Sequence, residues 1–494
     1  MGKKRRKLDA FKRKGKALKH PYSILGEDNL HFSAWVDDGL ANLIWAALIA
    51  SQLNRDEYLQ IFRDVLIRVR ERSESYKSFY VTHSALAQQN KETFETAFGP
   101  VFASEIYKRA LSPLALLYSL PDKHHWSRFL RPPVDRDAAY AQLGKAVIGV
   151  FDHQSEKATD LRWLCVASRC ISEKMVLGTD RAEEFSEQIR RYPDYGDMRS
   201  VRPMIRATEM AFRNPALHDE DDPQFKLEWQ RSFWKQVYEE TQCLPLPHAE
   251  NTTRFSRELV QDIQEAYYGV AEHFYKKTED TELNPKKDTV FGIVLYVLYL
   301  AALTEMGGSG KRPECRIFLR IACELFITLK FLTIQNQEKL WIQYRNYGSG
   351  KATLAFLKIV DAETLPEYVD IDDLERLANE DAWYEMRDIK LGHWASVDLR
   401  KMSEQIGEKD TYDKYYDWTS SFAHGNWGAI RDTHFTLCAN PLHRFHRIPT
   451  HPNHGLPSAT NDIISIVNRC LDLLNQHYPP FKRRIKKPIK PTGA

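Results

Sequence analysis

The segment FLRIACELFITLKFL (residues 318–332) is almost entirely apolar, yet it carries Arg320 and Glu324 four residues apart. On an α-helix this spacing places both side chains on the same face, one turn apart. Such an apolar segment is expected to be buried, and a buried charge must be paired because an isolated one is costly to remove from water. The segment therefore predicts a buried helix that holds the charges of Arg320 and Glu324 within its packing.

Helical periodicity also dominates the rest of the chain, and alternating strand patterns are scarce. The most apolar run, residues 290–303 (VFGIVLYVLYLAAL), has 14 uncharged residues, fewer than the roughly 20 that span a bilayer. We interpret it as a buried central helix, and no membrane association is predicted. Residues 425–457 are irregular in pattern and predict a long loop. The predicted fold class is all-α, with two helical-bundle domains.

The length of the chain, 494 residues, exceeds what one ordinary core can organise, so more than one domain is expected. The best linker candidate is CLPLPHAENT at residues 243–252, with two prolines and a capping-type Asn-Thr before the next helical pattern. The predicted organisation is a basic disordered arm (1–20), an N-terminal helical domain (21–242), a C-terminal helical domain (253–481) and a basic tail (482–494).

Charge is concentrated at the two ends. Residues 1–19 hold ten Lys or Arg against one Asp, a net charge of +9, and residues 482–494 hold six Lys or Arg with no acid, a net charge of +6. The whole chain has a net charge of +3, so the body between these ends, residues 20–481, carries −12. Two basic ends on an acidic body indicate attraction to a polyanion such as RNA, although a short basic run is also typical of a solvated tail. The candidate nucleic-acid contacts are Lys3, Lys4, Arg5, Arg6, Lys7, Arg483 and Arg484.

The seven cysteines are odd in number, dispersed, and contain no C-x-x-C pair. This pattern favours a reducing compartment and argues against both a disulfide framework and a cysteine-based zinc site. No apolar stretch follows the basic N-terminus, so no secretory signal is predicted. We therefore expect a cytoplasmic protein.

A histidine-rich segment follows residue 433 and contains residue types that suit zinc. Its spacing matches no standard zinc finger, and the interspersed Pro and Arg residues fit a surface loop equally well. No metal or other cofactor is predicted. The ligand-type residues in the segment are His434, Cys438, His443, His446, His451 and His454.

Three polar features of the second half stand inside aromatic-rich helical patterns. They are Arg320 with Glu324, Arg345 within YRNYG (344–348), and Ser420 with His424 within WTSSFAHGNW. A histidine in a last helical turn is well placed to exchange a proton. If these residues converged, His424 would serve as base or acid, the arginines as phosphate clamps, Glu324 as their support and Ser420 as a helper donor. That set suffices for RNA cleavage without a metal.

Each feature also has a structural interpretation. Arg320 and Glu324 can form an ion pair that fixes the packing register, Arg345 can bond carbonyl groups at a helix end, and His424 can cap a helix. Their joint occurrence favours function over packing, because three polar features inside apolar helices are costly to maintain for packing alone.

The R-x-x-x-E helix, the Y-R-x-Y-G helix end and the later S-x-x-x-H-G, spread over about residues 260–477, resemble a bacterial family of helical domains of unknown function. That family is similar to HEPN-type domains, several of which are ribonucleases in toxin, CRISPR and phage-defence systems. The resemblance implies an HEPN-like C-terminal domain and a homodimer. The sequence departs from the HEPN signature, since no Arg stands at the required distance before His424 and no His follows Arg345-Asn346 at that distance.

The leading functional hypothesis is therefore a metal-independent endoribonuclease or RNA-acting effector in bacterial stress or phage defence. The competing hypothesis is a non-catalytic helical binding or sensor protein, in which the same polar residues form a satisfied structural network.

Overall fold

The computed structural model describes residues 12–14, 17–19, 34–173, 182–213, 228–246, 256–279, 282–306, 310–379, 392–450 and 456–487. Helices account for most of these residues, and the strands are short segments of three residues each. The all-α fold class predicted from the sequence is confirmed.

The chain forms two compact units. The first contains residues 1–246 together with 437–447, and the second contains residues 247–436 and 448–494. The division after residue 246 falls inside the stretch that the sequence marks as a linker. The sequence did not predict that residues 437–447 belong to the first unit.

The first unit begins with a two-stranded antiparallel pair in the basic arm, in which Lys12 pairs with Lys19 and Lys14 with Ala17. The other residues of the predicted arm, 1–11, 15, 16 and 20, lie outside the described residues. The elements are β1 (Lys12–Lys14), β2 (Ala17–Lys19), α1 (Ile44–Gln52), α2 (Arg55–Arg72), α3 (His83–Leu86), α4 (Lys91–Phe102), α5 (Glu105–Leu111), α6 (Lys123–Trp126), α7 (Arg136–Phe151), α8 (Glu156–Ile171), α9 (Ala182–Arg190), α10 (Met198–Ala211) and α11 (Glu228–Glu239).

Aromatic rings fill the core of the first unit. Trp45 of α1 packs edge-on against Phe62 and Phe98, with ring centroids 5.7 and 5.1 Å apart, an arrangement that aromatic pairs prefer. Helix α2 starts with a capping box, in which the Asn54 side chain accepts from Glu57 N and the Glu57 carboxylate accepts from Asn54 N. Sequence chemistry thus sets where α2 starts, and ring packing fixes how it lies on α1 and α4.

The second unit has its own core, built around two long apolar helices. Its elements are α12 (Arg257–Lys276), α13 (Pro285–Met306), α14 (Glu314–Gln335), α15 (Glu338–Ile359), α16 (Ile371–Asn379), α17 (Leu399–Gln405), α18 (Lys409–Thr411), a π-helical segment (Tyr412–Tyr416), α19 (Asp417–Ala423), α20 (Trp427–His434) and α21 (Thr460–His477). Strands β3 (Phe435–Leu437) and β4 (Arg447–Pro449) pair with each other.

Helix α13 contains the apolar run that the sequence marks as a central helix, and it packs against α12, α14, α15 and α21. By length and composition this helix could cross a membrane, but 61% of its most apolar window is buried inside the protein. Helix α14 contains the segment 318–332 and is followed by the C-cap residue Asn336, whose φ of 43° is left-handed.

The loop predicted at residues 425–457 is wrong in part, because Trp427–His434 form helix α20. Only Ala429 of this helix is buried, so the helix lacks the apolar stripe on which a prediction by periodicity depends.

Candidate functional site

Arg320 and Glu324 lie on one face of α14, as their spacing predicts. Arg320 Nη1 is 3.2 Å from Glu324 Oε2, and Arg320 Nη2 donates to Tyr416 Oη at 2.6 Å. The guanidinium also lies over the Tyr416 ring, 4.4 Å from its centroid. The charge of Arg320 is therefore balanced by the Glu324 carboxylate, and the Tyr416 hydroxyl accepts a second hydrogen bond from the guanidinium.

A cavity of about 530 Å³ lies beside this ion pair, between α13, α14 and α15. We call it the α14 cleft. Of the residues predicted to converge, Glu324 and Arg345 line this cavity. The lining side chains used below are Asp288, Glu324, Tyr344, Arg345, Tyr347 and Trp394.

The polar part of the α14 cleft is not a cationic surface. Arg345 Nε is 3.6 Å from Asp288 Oδ2, and the cleft contains one guanidinium and the two carboxylates of Asp288 and Glu324. Arg320 lies outside the lining but pairs with Glu324. When Arg320 is counted, two guanidinium groups balance the two carboxylates. This arrangement offers hydrogen-bond donors and acceptors without a net attraction for phosphate.

Aromatic side chains form the other wall of the α14 cleft. Tyr344 packs edge-on against Trp394 with ring centroids 5.2 Å apart, and Tyr347 Oη donates to Gly392 O. Burial, together with the nearby Glu324 carboxylate, raises the pKa of Tyr344 to about 12. The Tyr344 hydroxyl therefore keeps its proton at neutral pH.

Ser420 and His424 are not among the residues that line the α14 cleft. His424 is the exposed C-cap of α19, where its backbone N–H donates to Ser420 O at 3.2 Å. It follows Tyr416 by eight residues, which corresponds to about 12 Å along a helix axis. The predicted catalytic role of His424 stays a prediction.

The predicted nucleic-acid contacts fall into two groups. Lys3, Lys4, Arg5, Arg6 and Lys7 lie outside the described residues. At the other end of the chain, Arg483 pairs with Asp262 (3.0 Å) and Glu265 (2.8 Å) of α12, and Arg484 pairs with Asp472 of α21. These two guanidinium groups are held by carboxylates of the second unit.

Sequence reasoning missed Asp288, Tyr416 and Trp394 as parts of this site. Asp288 stands just before the apolar run of α13, and Tyr416 lies within an aromatic-rich stretch. Nothing in either local pattern links these residues to Arg320 or Arg345, because the link is made only by helix packing.

The histidine-rich segment contributes to a separate cluster of ligand-type residues in the first unit. Cys438, His443 and His446 meet Cys243 there. His434 is exposed on α20, whereas His451 and His454 lie outside the described residues. Cys243 was not among the residues singled out in the sequence, since it precedes Cys438 by 195 positions.

A family of unknown function, DUF5677, matches residues 301–440. This match supports the predicted resemblance of the C-terminal half to an uncharacterised family. The matched range contains α14, α15 and α19, and therefore Arg320, Glu324, Arg345 and His424. No curated protein and no solved structure matches the chain.

Proposed function

We propose that this protein acts on RNA as a binding protein, and that the α14 cleft receives one unpaired nucleobase. The observation that carries the proposal is the composition of the cleft, in which an aromatic wall faces Arg345 and two carboxylates, and Arg320 pairs with one of these carboxylates from outside the lining. A flat, neutral heterocycle with donors and acceptors at its edge suits such a cleft better than a phosphate does.

The size and chemistry of the cleft support a base. Its volume of about 530 Å³ is within the range of small-molecule pockets, roughly 300–1,000 Å³. Single-stranded RNA is commonly recognised by unstacked bases that lie against aromatic rings and form hydrogen bonds along their edges. Guanine is the best match, because its adjacent N–H groups can donate to the Glu324 carboxylate while its O6 accepts from Arg345.

The basic ends of the chain support RNA over a free nucleotide. The ten basic residues among residues 1–19 and the four lysines among residues 482–494 supply attraction for a phosphate backbone, which the cleft itself does not provide. Arg483 and Arg484 are not counted, because carboxylates already hold them. A free guanine nucleotide carries the same base as RNA, so an experiment has to distinguish RNA from the free nucleotide as the ligand.

The proposal extends to the setting of the protein. The R-x-x-x-E and S-x-x-x-H-G motifs support an HEPN-like C-terminal unit, and on that resemblance we place the protein in bacterial stress or phage defence as a homodimer. The free cysteines support a cytoplasmic location. Binding is preferred to cleavage because His424 does not line the cleft that holds Glu324 and Arg345.

The test measures binding of the full-length protein to labelled single-stranded RNA with and without guanine, and to free guanosine monophosphate. Glu324→Gln should weaken binding of guanine-containing RNA about tenfold or more, since a hydrogen bond to a charged group is worth roughly 1.5–3 kcal/mol. Glu338→Gln, an exposed carboxylate at the start of α15, is the matched control and should bind like the wild type. Equal binding by wild type and Glu324→Gln would disprove the proposal.

Two further measurements distinguish RNA from a free nucleotide as the ligand, and binding from cleavage as the activity. Tight binding of the free nucleotide with no gain from RNA would assign the cleft to a small-molecule ligand. Cleavage that persists in chelator and is lost in His424→Ala, but not in the exposed-histidine control His434→Ala, would replace the binding function with a nuclease.

A further inference from the structure

We propose that Cys243, Cys438, His443 and His446 form a structural zinc site in the first unit. The four ligand atoms all lie within 4.8 Å of one another. We call this group the Cys2His2 cluster. It is independent of the α14 cleft and of the function proposed for it.

The distances within the cluster match a tetrahedral metal site. Cys243 Sγ is 3.4 Å from His443 Nδ1 and 3.3 Å from His446 Nε2, and Cys438 Sγ is 3.4 Å from His443 Nδ1. In tetrahedral zinc sites, bonds of about 2.3 Å to sulfur and about 2.0 Å to nitrogen place neighbouring ligand atoms roughly 3.6 Å apart. Three of the six ligand–ligand distances therefore already match a tetrahedral site, and the other three lie within 4.8 Å.

Hydrogen bonding fixes the tautomer of His443 that binds a metal. Thr241 Oγ1 donates to Val237 O at 2.6 Å, so its oxygen is left to accept from His443 Nε2, 3.0 Å away. His443 Nε2 then carries the ring proton, and Nδ1 presents a lone pair towards the two sulfurs. Metal-binding histidines usually have such a partner on the other ring nitrogen.

Hydrogen bonds alone cannot satisfy this arrangement. The single lone pair of His443 Nδ1 faces the sulfurs of both Cys243 and Cys438, and only one thiol can donate to it. If Cys243 donates to His443 Nδ1, the Cys438 thiol is left without this acceptor. One cation bound to two thiolates and two neutral imidazoles satisfies all four groups, and the 2+ charge of zinc cancels the charge of the thiolates.

The backbone around the cluster is organised as a metal-binding loop. A 3-10 turn at Pro441–His443 is followed by Arg444 and Phe445, both with φ of 52°, and this reversal brings His446 back so that its carbonyl accepts from Cys438 N at 2.9 Å. Leu244 N–H donates to Cys438 Sγ at 3.4 Å.

The ligand set points to zinc and to a structural role. Two sulfurs and two nitrogens in a tetrahedral arrangement suit zinc, and four protein ligands leave no open position for substrate. Cys438 and His443 are buried, and the Tyr238 ring lies 4.9 Å from that of His443. The site would fasten the loop 437–447 to the chain that follows α11.

The test is the metal content of the untagged full-length protein, grown with zinc and washed free of loosely bound metal. We expect about one zinc per chain in the wild type, loss of most of it in Cys243→Ser and in His446→Ala, and no loss in the controls Cys165→Ser and His153→Ala. The half-buried Cys165 and the exposed His153 lie in the same unit, outside the cluster.

A second measurement does not depend on the folding of variants. X-ray absorption at the zinc edge of the wild type should show two sulfur and two nitrogen neighbours, and the cobalt-substituted protein should show thiolate charge transfer and tetrahedral bands. Zinc-free protein from such cells, zinc that is retained in both ligand variants, or a Cys243–Cys438 disulfide in the mass of the unreduced protein would each overturn the assignment.

Discussion

Single buried carboxylates organise much of the polar interior of both units. Asp160 of α8, fully buried, accepts from Tyr58 Oη and Tyr192 Oη at 2.6 Å each and from Arg55 Nη2 at 2.9 Å. Burial and the Asp160 charge raise the pKa of both tyrosines, so their hydroxyls remain donors. One carboxylate thus ties α2 and the segment after α9 to α8.

We expect Asp160→Asn to destabilise the first unit by about 2–4 kcal/mol, because an amide nitrogen that cannot accept replaces one of the carboxylate oxygens that face buried donors, although Arg55 keeps its ion pair with Glu156 at 2.7 Å. Denaturant unfolding followed by tryptophan fluorescence measures this change. Asp137→Asn, an exposed carboxylate in the first turn of α7, is the control and should change stability by less than about 0.5 kcal/mol. Equal effects of the two substitutions would contradict the role assigned to Asp160.

Glu408 gives the second unit a dependence on acid. Burial alone would raise its pKa, but hydrogen bonds from Arg469, Lys330 and Thr411 outweigh burial and lower the pKa from 4.5 to about 2. A carboxylate whose pKa is lower in the folded state stabilises the fold above its unfolded pKa. That contribution is lost as the pH falls from about 4.5 towards 2.

Between pH 5 and pH 2.5, we therefore expect the unfolding free energy of the wild type to fall by about 2 kcal/mol more than that of Glu408→Gln. The expected difference is smaller than the full pKa shift implies, because the site is partly solvated. Urea unfolding at several pH values measures the difference. Parallel pH profiles for the two proteins would show that Glu408 does not carry it.

At the scale of single residues, the sequence predicted which charged side chains pair with each other when both lie on one helix. The spacing of Arg320 and Glu324 was sufficient, because a helix places residues four apart side by side. Tyr416 and Asp288, which complete the surroundings of Arg320 and Arg345, come from other helices. Their positions depend on packing angles that no local pattern contains.

Turns between helices depend on backbone shape as much as on side chains. Gly310 joins α13 to α14 with a φ of +75°, and a Cβ there would lie 2.7 Å from Thr460 N and 2.9 Å from Ala459 N. Gly310 O in turn accepts from Ala459 N and from Arg316 Nη1, both at 3.0 Å. The turn is thereby fixed to the start of α21.

Gly310→Ala should destabilise the second unit by about 2–4 kcal/mol, since the new methyl group meets backbone atoms and the left-handed conformation disfavours alanine. Thermal unfolding measures the change. Gly292→Ala is a control with the opposite sign, because Gly292 lies exposed within α13 with no neighbouring atom within 4 Å of a Cβ. It should stabilise by up to about 1 kcal/mol.

Long apolar helices such as α13 and α14 were predictable from sequence, whereas short helices with little buried surface were not. Helix α20 has eight residues and one buried side chain, so its pattern resembles a loop. The three-residue strands β3 and β4 are also too short for an alternating signal.

At the scale of the whole molecule, charge separates long-range attraction from local recognition. Residues 1–19 carry a net +9 while the body is acidic. If RNA is bound as proposed, its phosphates are attracted mainly by the ends of the chain, and the base is selected by the α14 cleft.

Deletion of residues 1–20 should then reduce the slope of log K against log salt concentration by roughly 2–4 units, since each lost phosphate contact on single-stranded RNA contributes about 0.7. The preference for guanine-containing RNA should remain. Filter binding at several salt concentrations measures both quantities, and an unchanged slope would show that the arm does not contact RNA.

The sequence gives a signal for a division between units where the division falls at a linker, but none for a distant segment that returns to an earlier unit. The linker-like composition near residue 246 marks the division between the units, but the assignment of residues 437–447 to the first unit left no signal. Cys243 and Cys438 show why, because residues 195 positions apart share no local pattern even when their sulfurs lie together.

The assignment of residues 437–447 to the first unit has a consequence for biosynthesis. Leu442 belongs to the aromatic core of the first unit, and domains generally fold in the order in which the ribosome releases them. Here the amino-terminal bundle completes its core only after Leu442 has been translated, when helices α12 to α20 of the second unit have been made and α21 has not. A nascent chain stalled near residue 300 would thus expose an unfinished hydrophobic surface and call for a chaperone.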